Sequence, residues 1–512
     1  MSGAESASYP WHERVPQCGN AADLAAMRGI LEQCGYTAEG ICQRLGIPEI
    51  KEYRNLRQGR GNVQSVEQPL DALIHLLLDG EYVERGILES LLPPGAPRLM
   101  EALGLAAFDA AQPERCYGAV TLFPVRGMLL ASDRGSTPDN QPYAFPADVV
   151  YPAATLNTLE FMATLPETPC EAFLDLGTGT GIAALDASRY ARHAWATDIA
   201  ARSVEFAEFN RRLNGIENVT VLEGDLYQPV EGLTFDRIVT HPPYVPARRT
   251  RFIYRDGGED GEEILRRAIE GLPRMLRPGG RFYTVFTAAD CEDETLEDRI
   301  RRWLGADAPQ FDLVLAAHRL VPPRDALANL LGYGSVALDD WRYDRELWER
   351  RKVTFLFHGS VLIRRHAAPL PAFTARVLKG EGFGREHTEW LLDWETAVHD
   401  PAARETLLNS RPALSPHCEL AVFHAVRDGR FAPQGFSLRS KRPFESECIC
   451  QQWLVQIVSA CDGRSTWREH LEKAKQAGWI DPATTPEEFV QLLDPMVANG
   501  FLRIVEKPLP ES

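Results

Sequence analysis

Apolar positions recur along this chain with two different periods, and the change of period divides it. From residue 21 to about 110 the spacing is three to four, which marks one face of a helix. LAAMRGILEQCGY predicts an amphipathic helix ending near Gly35, and Thr37 predicts the N-cap of a second, TAEGICQRLGI, which stops before Pro48. DALIHLLLDGEYVERGILESLL continues in the same helical style. Two short helices with a tight link fit a helix-turn-helix or winged-helix unit, or a small helical cap over an active site. No basic recognition helix is evident, which favours the cap.

From Cys116 the pattern changes. YGAVTLFPV and GMLLASD predict short strands joined at Arg126-Gly127. Strands and helices then alternate. EAFLDLG, HAWATD, VTVLEGD, FDRIVTHPPY and GRFYTVFT read as strands, with helices through ALDASRYA, SVEFAEFNRRLNG and EEILRRAIEGLPRML. FDLVLAAHRL and VTFLFHGSVLIRR follow as a final antiparallel pair. That order predicts an α/β fold, a doubly wound, seven-stranded, Rossmann-like sheet. After about His366, Pro369 and Pro371 break the periodicity and read as a linker. CICQQWLVQIVSACDGRSTWREHLEKA and EEFVQLLDPMVANGFLRI predict helix, turn, helix, helix and a short strand, a winged-helix-like order. The CDGRST turn and closing GFLRI resemble small peptide-binding winged helices of the PqqD type. The expected domains are a helical N-terminal cap over 1–112, an α/β domain over 113–366 and a C-terminal module over 367–512.

Composition narrows the class. The chain has 512 residues, too many for one core. An apolar fraction of 44% and a charged fraction of 25% are ordinary for a soluble globular protein. No apolar run reaches bilayer-spanning length, and the N-terminus lacks the apolar core of a signal peptide. With ten scattered cysteines, this predicts reduced thiols and a cytoplasmic location. A net charge of −17 argues against nonspecific DNA binding.

The segment FLDLGTGTGIAAL, residues 173–185, carries the sharpest signal. A strand ends at Asp175, then Gly177, Gly179 and Gly181 let the backbone turn tightly into a helix N-terminus. Read from Gly179, GTGIAA also satisfies the dinucleotide GxGxxA pattern, so a nicotinamide oxidoreductase is a rival on the loop alone. Three acids argue otherwise. Asp175 precedes the first glycine, where pyrophosphate would be repelled and a cationic methionine amine held. Asp198, ending the second strand, can accept from both ribose hydroxyls, and Asp225, after the third, from the adenine amino group. Thr178, Ile199 and Leu226 neighbour these groups in the same turns and are read with them as cofactor contacts. The alternative is three solvated strand-end acids.

FLDLGTGTG, ATDIA, EGDLY and FDRIVTHPPY resemble the successive motifs of class I S-adenosylmethionine (SAM) methyltransferases. The last is similar to the (N/D/S)PP(F/Y) signature of N-methylating families. YRDGGEDGEEILRRAIEGLPRMLRPGGRFY resembles the matching segment of the release-factor glutamine methyltransferases (the HemK/PrmC group) and of the "methyltransferase small" group that modifies ribosomal RNA guanines. The likeness covers roughly residues 145–365. It implies SAM as cofactor and N-methylation of a protein or RNA group. A small metabolite or peptide natural product is the alternative acceptor, and a SAM-binding regulator the alternative role.

His241, Pro242, Pro243 and Tyr244 then take the catalytic position. Methyl transfer is an in-line displacement that needs the acceptor's lone pair aligned more than strong acid or base chemistry. The resemblance implies that Tyr244 packs on a planar substrate group and that the carbonyl near Pro242 accepts from it. At 241 the family's Asn is a His, which cannot imitate a carboxamide's paired donor and acceptor. That leaves room for a different amine, an imidazole, a hydroxyl or a carboxylate. His241 can also act as a general base, with an unperturbed pKa of about 6.5. Downstream, Arg248, Arg249, Arg251 and Arg255 can hold an anionic substrate group or simply balance the acidic GEDGEE at 258–263. Cys448, Cys450, Cys461 and His470 lack metal-ligand spacing, and no metal is expected.

Overall fold

The computed structural model describes residues 15–53, 65–138, 144–332 and 337–505. The N-terminal stretch judged above for a signal peptide, residues 1–14, lies outside them. The chain forms two compact units: Met1–Arg277 with Phe282–Phe286, and Pro278–Arg281 with Thr287–Ser512. Among the described residues no helix is long and apolar enough to cross a membrane.

In the first unit, α1 (Ala21–Gln33) and α2 (Ala38–Leu45) form where the periodicity placed them. The Thr37 hydroxyl caps α2 by accepting from Gly40 N at 3.0 Å. The all-helical expectation up to residue 110 is corrected further on. α3 (Pro69–Leu73) widens into a π-turn, Ile74–Asp79, and stops at Gly80, which is left-handed with φ 68°. β1 (Tyr82–Glu84) follows, then α4 (Arg85–Leu91), α5 (Ala96–Ala102), β2 (Ala106–Phe108) and β3 (Arg115–Gly118). The strands pair as an antiparallel sheet in the order β1-β3-β2. Strands of three or four residues are too short to leave a period in the sequence. β4 (Thr121–Val125) and β5 (Met128–Ser132) form a hairpin whose turn, Arg126 and Gly127, has φ 53° and 77°. Two positive φ values define the turn whose twist suits a tight hairpin.

α6 (Leu156–Thr164) leads into the parallel core. β6 (Cys170–Leu176), α7 (Ile182–Ala187), β7 (Ala191–Asp198), α8 (Ala201–Leu213), β8 (Val219–Glu223), β9 (Phe235–Thr240) and α9 (Glu263–Met275) follow. β6 lies between β7 and β9, and β8 flanks β7, all parallel. The first strand is thus central and the chain winds outward both ways, the arrangement that opens a crevice at the strand C-termini. Phe173, Leu174, Phe206, Phe209, Phe235 and Ile238 are fully buried between the layers. Each such side chain contributes about 1.5–3 kcal/mol. The long β10 (Leu276–Cys291) neighbours β9 and gives residues to both units.

The second unit contains α10 (Leu296–Leu304), β11 (Phe311–Val321), α11 (Pro323–Gly332), α12 (Leu338–Arg350) and β12 (Val353–Arg365). β11 and β12 pair antiparallel, the edge pair the sequence predicted. All seven strands expected from 170 to 365 are present. An eighth, β13 (Thr374–Leu378), pairs parallel with β11 just beyond the prolines, where no strand was expected. Arg376 on β13 pairs with Asp290 and Glu297. α13 (Arg385–His399) and α14 (Arg404–Leu408) come next, then β14 (Arg411–Leu414) and an antiparallel sheet of β15 (Cys418–Arg427), β16 (Arg430–Ser440) and β17 (Ser446–Cys450). α15 (Gln452–Ala460), α16 (Trp467–Gln476), α17 (Pro486–Ala498) and β18 (Leu502–Val505) are the last elements among the described residues and come in the predicted order, with β18 pairing β14. Their core is Trp467, Phe489, Leu493 and Phe501.

Candidate active site

A cavity of about 620 Å³ opens where β6, β7, β8 and β9 end. Several of its walls are turns that the sequence had singled out. β6 delivers Asp175 and then the glycine turn, with φ 68° at Gly177, 55° at Gly179 and 85° at Gly181. A Cβ at Gly177 or Gly179 would meet no protein atom within 4 Å, so those two faces of the turn bound the cavity. At Gly181 it would come 3.2 Å from the Ala207 methyl, so that glycine serves helix packing.

Asp175 is buried. Its Oδ2 accepts from Thr178 Oγ1 at 2.5 Å and from Ala184 N at 3.3 Å. Burial pushes its pKa up to about 7, against the pull of those hydrogen bonds. Asp198 ends β7. Its two oxygens accept from Gly179 N and Ala200 N, each at 2.9 Å, tying the glycine turn to the next strand. Burial raises its pKa as well. Asp225 pairs with Arg267 of α9 at 2.5 Å, both at the cavity wall. Leu226 is held left-handed, φ 49°, its carbonyl accepting from Thr197 Oγ1 at 3.0 Å. A non-glycine residue in that region costs energy and is found where the surroundings fix it. Thr178 and Ile199 line the same space.

Beside the glycine turn, where Thr240 stands in register with Leu176, His241, Pro242, Pro243 and Tyr244 follow β9 and line the cavity together. The His241 ring lies between two others, Phe161 with centroids 5.4 Å apart and Tyr244 at 6.1 Å, both within about 30° of parallel. Burial lowers its pKa to about 4, so at neutral pH the imidazole is uncharged and carries a free lone pair. The Tyr244 hydroxyl accepts from Asn157 Nδ2 at 3.3 Å.

The 245–261 loop folds back and holds the tetrapeptide from behind. Val245 N donates to Arg255 O at 3.0 Å and Gly257 N to Val245 O at 2.9 Å. A Cβ at Gly257 would lie 2.5 Å from Pro243 O, and one at Gly261 2.5 Å from Tyr244 O. Arg248, Arg249 and Arg251 are exposed and are not among the cavity residues, whereas Arg255 of the same run is. Asp256, buried, accepts from the N–H groups of Arg251 and Phe252.

Several cavity residues carried no signal in the sequence: Tyr151, Asn157, Phe161, Tyr254 and Arg267. Tyr151 and Tyr254 stack at 4.9 Å and 17°, each about two-fifths exposed. Tyr151 is fixed through its neighbour, since Val150 N donates to buried Asp133 at 2.7 Å, and Arg202 clamps the same carboxylate. Only folding brings these distant residues together.

Residues 155–304 match the family described as methyltransferase small domain. The release factor glutamine methyltransferase of Moorella thermoacetica is 37% identical over 127 residues, 22% of this chain and 45% of that protein. A putative protein N5-glutamine methyltransferase of Methanocaldococcus jannaschii is 35% identical over 130 residues, 24% of this chain and 65% of that one. The ribosomal protein uL3 glutamine methyltransferase of Bradyrhizobium diazoefficiens is 32% identical over 154 residues, 27% and 48% respectively. The chain spans about half to two-thirds of the length of these relatives.

Proposed function

We infer, from a class I SAM-dependent methyltransferase domain of the "methyltransferase small" group lying over this cavity, that the protein methylates a nitrogen of a protein side chain. The observation that carries this reading is the meeting of the glycine turn, three strand-end acids and the tetrapeptide in one cavity. The bound sulfonium cofactor supplies an electrophilic methyl group whose leaving group is a neutral thioether. Gly177 and Gly179 leave room for its amino-acid tail, and Asp175, with Thr178, meets the ammonium. Asp198 takes the ribose hydroxyls, Ile199 and Leu226 flank the adenine, and Asp225 accepts from its amino group. Relatives whose names specify glutamine in proteins support a protein acceptor.

His241, Pro242, Pro243 and Tyr244 hold the acceptor. An uncharged imidazole can accept a hydrogen bond from the acceptor nitrogen and orient its lone pair. The carbonyl near Pro242 adds a second acceptor, and the Tyr244 ring a flat wall. Arg248, Arg249 and Arg251, exposed beside the tetrapeptide, meet acidic groups of the partner protein. Residues 1–112 cap the domain. The C-terminal module, 367–512, whose helices and β14–β18 ribbon we read as winged-helix-like, recruits the partner.

Calorimetry with SAM, S-adenosylhomocysteine and NADH tests the cofactor. Micromolar binding of the first two and none of NADH is expected, and preferential NADH binding would reverse the reading.

A further inference from the structure

The acceptor end of the cavity is built mainly from rings. Phe161, His241 and Tyr244 form one stepped stack, and Tyr151 with Tyr254 forms a second. Pro242 and Pro243 bring no N–H to the space between. Asn157 donates to the Tyr244 hydroxyl. At the head of the tetrapeptide the chain presents one imidazole, and no other described residue hydrogen-bonds to it.

This suits one acceptor chemistry better than others. The nitrogen lone pair of a carboxamide is conjugated with its carbonyl. Its N–H bonds need acceptors and its carbonyl a donor before that pair can turn toward an electrophile. His241 and the carbonyl near Pro242 supply acceptors only, and a neutral imidazole cannot present a donor and an acceptor side by side. A primary ammonium must lose a proton first, and an alkyl amine has no flat face to set against aromatic walls. An azole ring differs from both. Its basic nitrogen carries an sp² lone pair in the ring plane, outside the π system and available at neutral pH. Its opposite N–H needs one hydrogen-bond acceptor, and its flat faces need aromatic walls.

We propose that the methyl acceptor is the imidazole of a protein histidine, its faces against the Tyr244 and Tyr151–Tyr254 rings and its N–H donating to His241. The assignment rests on the methyltransferase reading above. In the transfer the in-plane lone pair forms the new N–C bond while the C–S bond breaks and its electron pair goes to sulfur. The positive charge passes to the acceptor ring, whose remaining N–H becomes acidic. That proton leaves by way of the His241 lone pair to solvent, and the product is a neutral methylimidazole.

The test needs no knowledge of the partner. A protein extract from cells lacking the enzyme is incubated with the full-length protein and methyl-labelled SAM, precipitated, and hydrolysed in acid. A methyl on a ring nitrogen survives as methylhistidine, whereas one on a glutamine amide is released as methylamine. Most of the label is expected in methylhistidine. Label released as methylamine, or recovered as methyllysine or methylarginine, overturns the proposal. So does an unlabelled protein fraction when calorimetry shows SAM bound, an outcome that leaves the cofactor site standing. Failure to bind SAM defeats the parent reading instead. Tyr254→Ala is expected to raise about tenfold the extract concentration that half-saturates labelling, with SAM affinity unchanged, and an unchanged half-saturation would deny the ring contact.

Discussion

Single residues set the ionisation states here, through burial. His241, with a pKa lowered to about 4, keeps its lone pair well below neutrality. The sequence alone places the His241 limb near 6.5, but the buried ring moves it to about 4, so with SAM saturating His241 should add no limb between pH 5 and 8. An acid limb near 6.5 at saturating SAM would then belong to the acceptor. His241→Ala should lower kcat about 100-fold, the usual size of a lost acid–base or orienting group. A folded pKa below the unfolded one also means that stability is complete above about 6.5 and declines as pH falls toward 4. Asp175 shifts the other way. With a pKa of about 7 it is only half ionised at neutrality, while a cationic ligand favours its charged form. SAM affinity should therefore increase between pH 6 and 8, and Asp175→Asn should flatten that slope in calorimetry. Asp198→Ala removes an acceptor that also ties Gly179 to Ala200. It should weaken SAM by about 10- to 100-fold, as lost hydrogen bonds to a charged group do.

At the scale of elements, the 245–261 loop acts as the backing of the tetrapeptide. Gly257→Ala puts a methyl into the Pro243 carbonyl, so the backbone must move. A displacement near 1 Å at reacting groups costs about 100-fold in rate. The expected result is a kcat lower by at least tenfold with SAM affinity within threefold, measured by steady-state kinetics and calorimetry. In the second unit, Arg376 of β13 answers Asp290 and Glu297, and Asp290 is buried. Despite burial, the guanidinium holds the Asp290 carboxyl below its usual range. Arg376→Met removes the guanidinium and leaves that buried charge to Leu296 N and the more distant field of Arg299, and should destabilise the fold by about 3 kcal/mol in denaturant titration. The loss should shrink as acid protonates Asp290, because the stability from a depressed carboxylate pKa disappears as pH falls through it.

For the whole molecule, the question is where the catalytic part can be cut from the rest. A chain ending at His366 loses β13 and Arg376, and also α13, whose Leu392 and Thr396 receive Arg364 from β12. A chain ending near residue 403 keeps all of them. The longer truncation should bind SAM with affinity within threefold of the full chain. The shorter should melt several degrees lower, as a loss of one to a few kcal/mol implies. Equal melting of the two would mean that β13 adds nothing to the sheet.

The sequence by itself determined the local features. Period two against period 3.6 placed seven strands of the sheet, and Thr37, Gly215 and the Arg126-Gly127 turn appear where cap and turn chemistry put them. The glycine turn, the strand-end acids and HPPY were legible because each is a contiguous run at the end of a strand. Folding decided everything that depends on distance through space. Tyr151, Asn157 and Tyr254 reach Tyr244's neighbourhood from up to 93 positions away in sequence (Tyr244 minus Tyr151), and nothing local marks them as wall residues. The helical reading of 71–92 holds over 71–79 and Arg85–Leu91 and misses Tyr82–Glu84, where Gly80 turns the chain into a strand too short to show a period. β13 was hidden for the same reason, with prolines just before it. Whether His241 is charged is likewise not written in its neighbours in sequence. It follows from desolvation by groups that only the tertiary fold assembles.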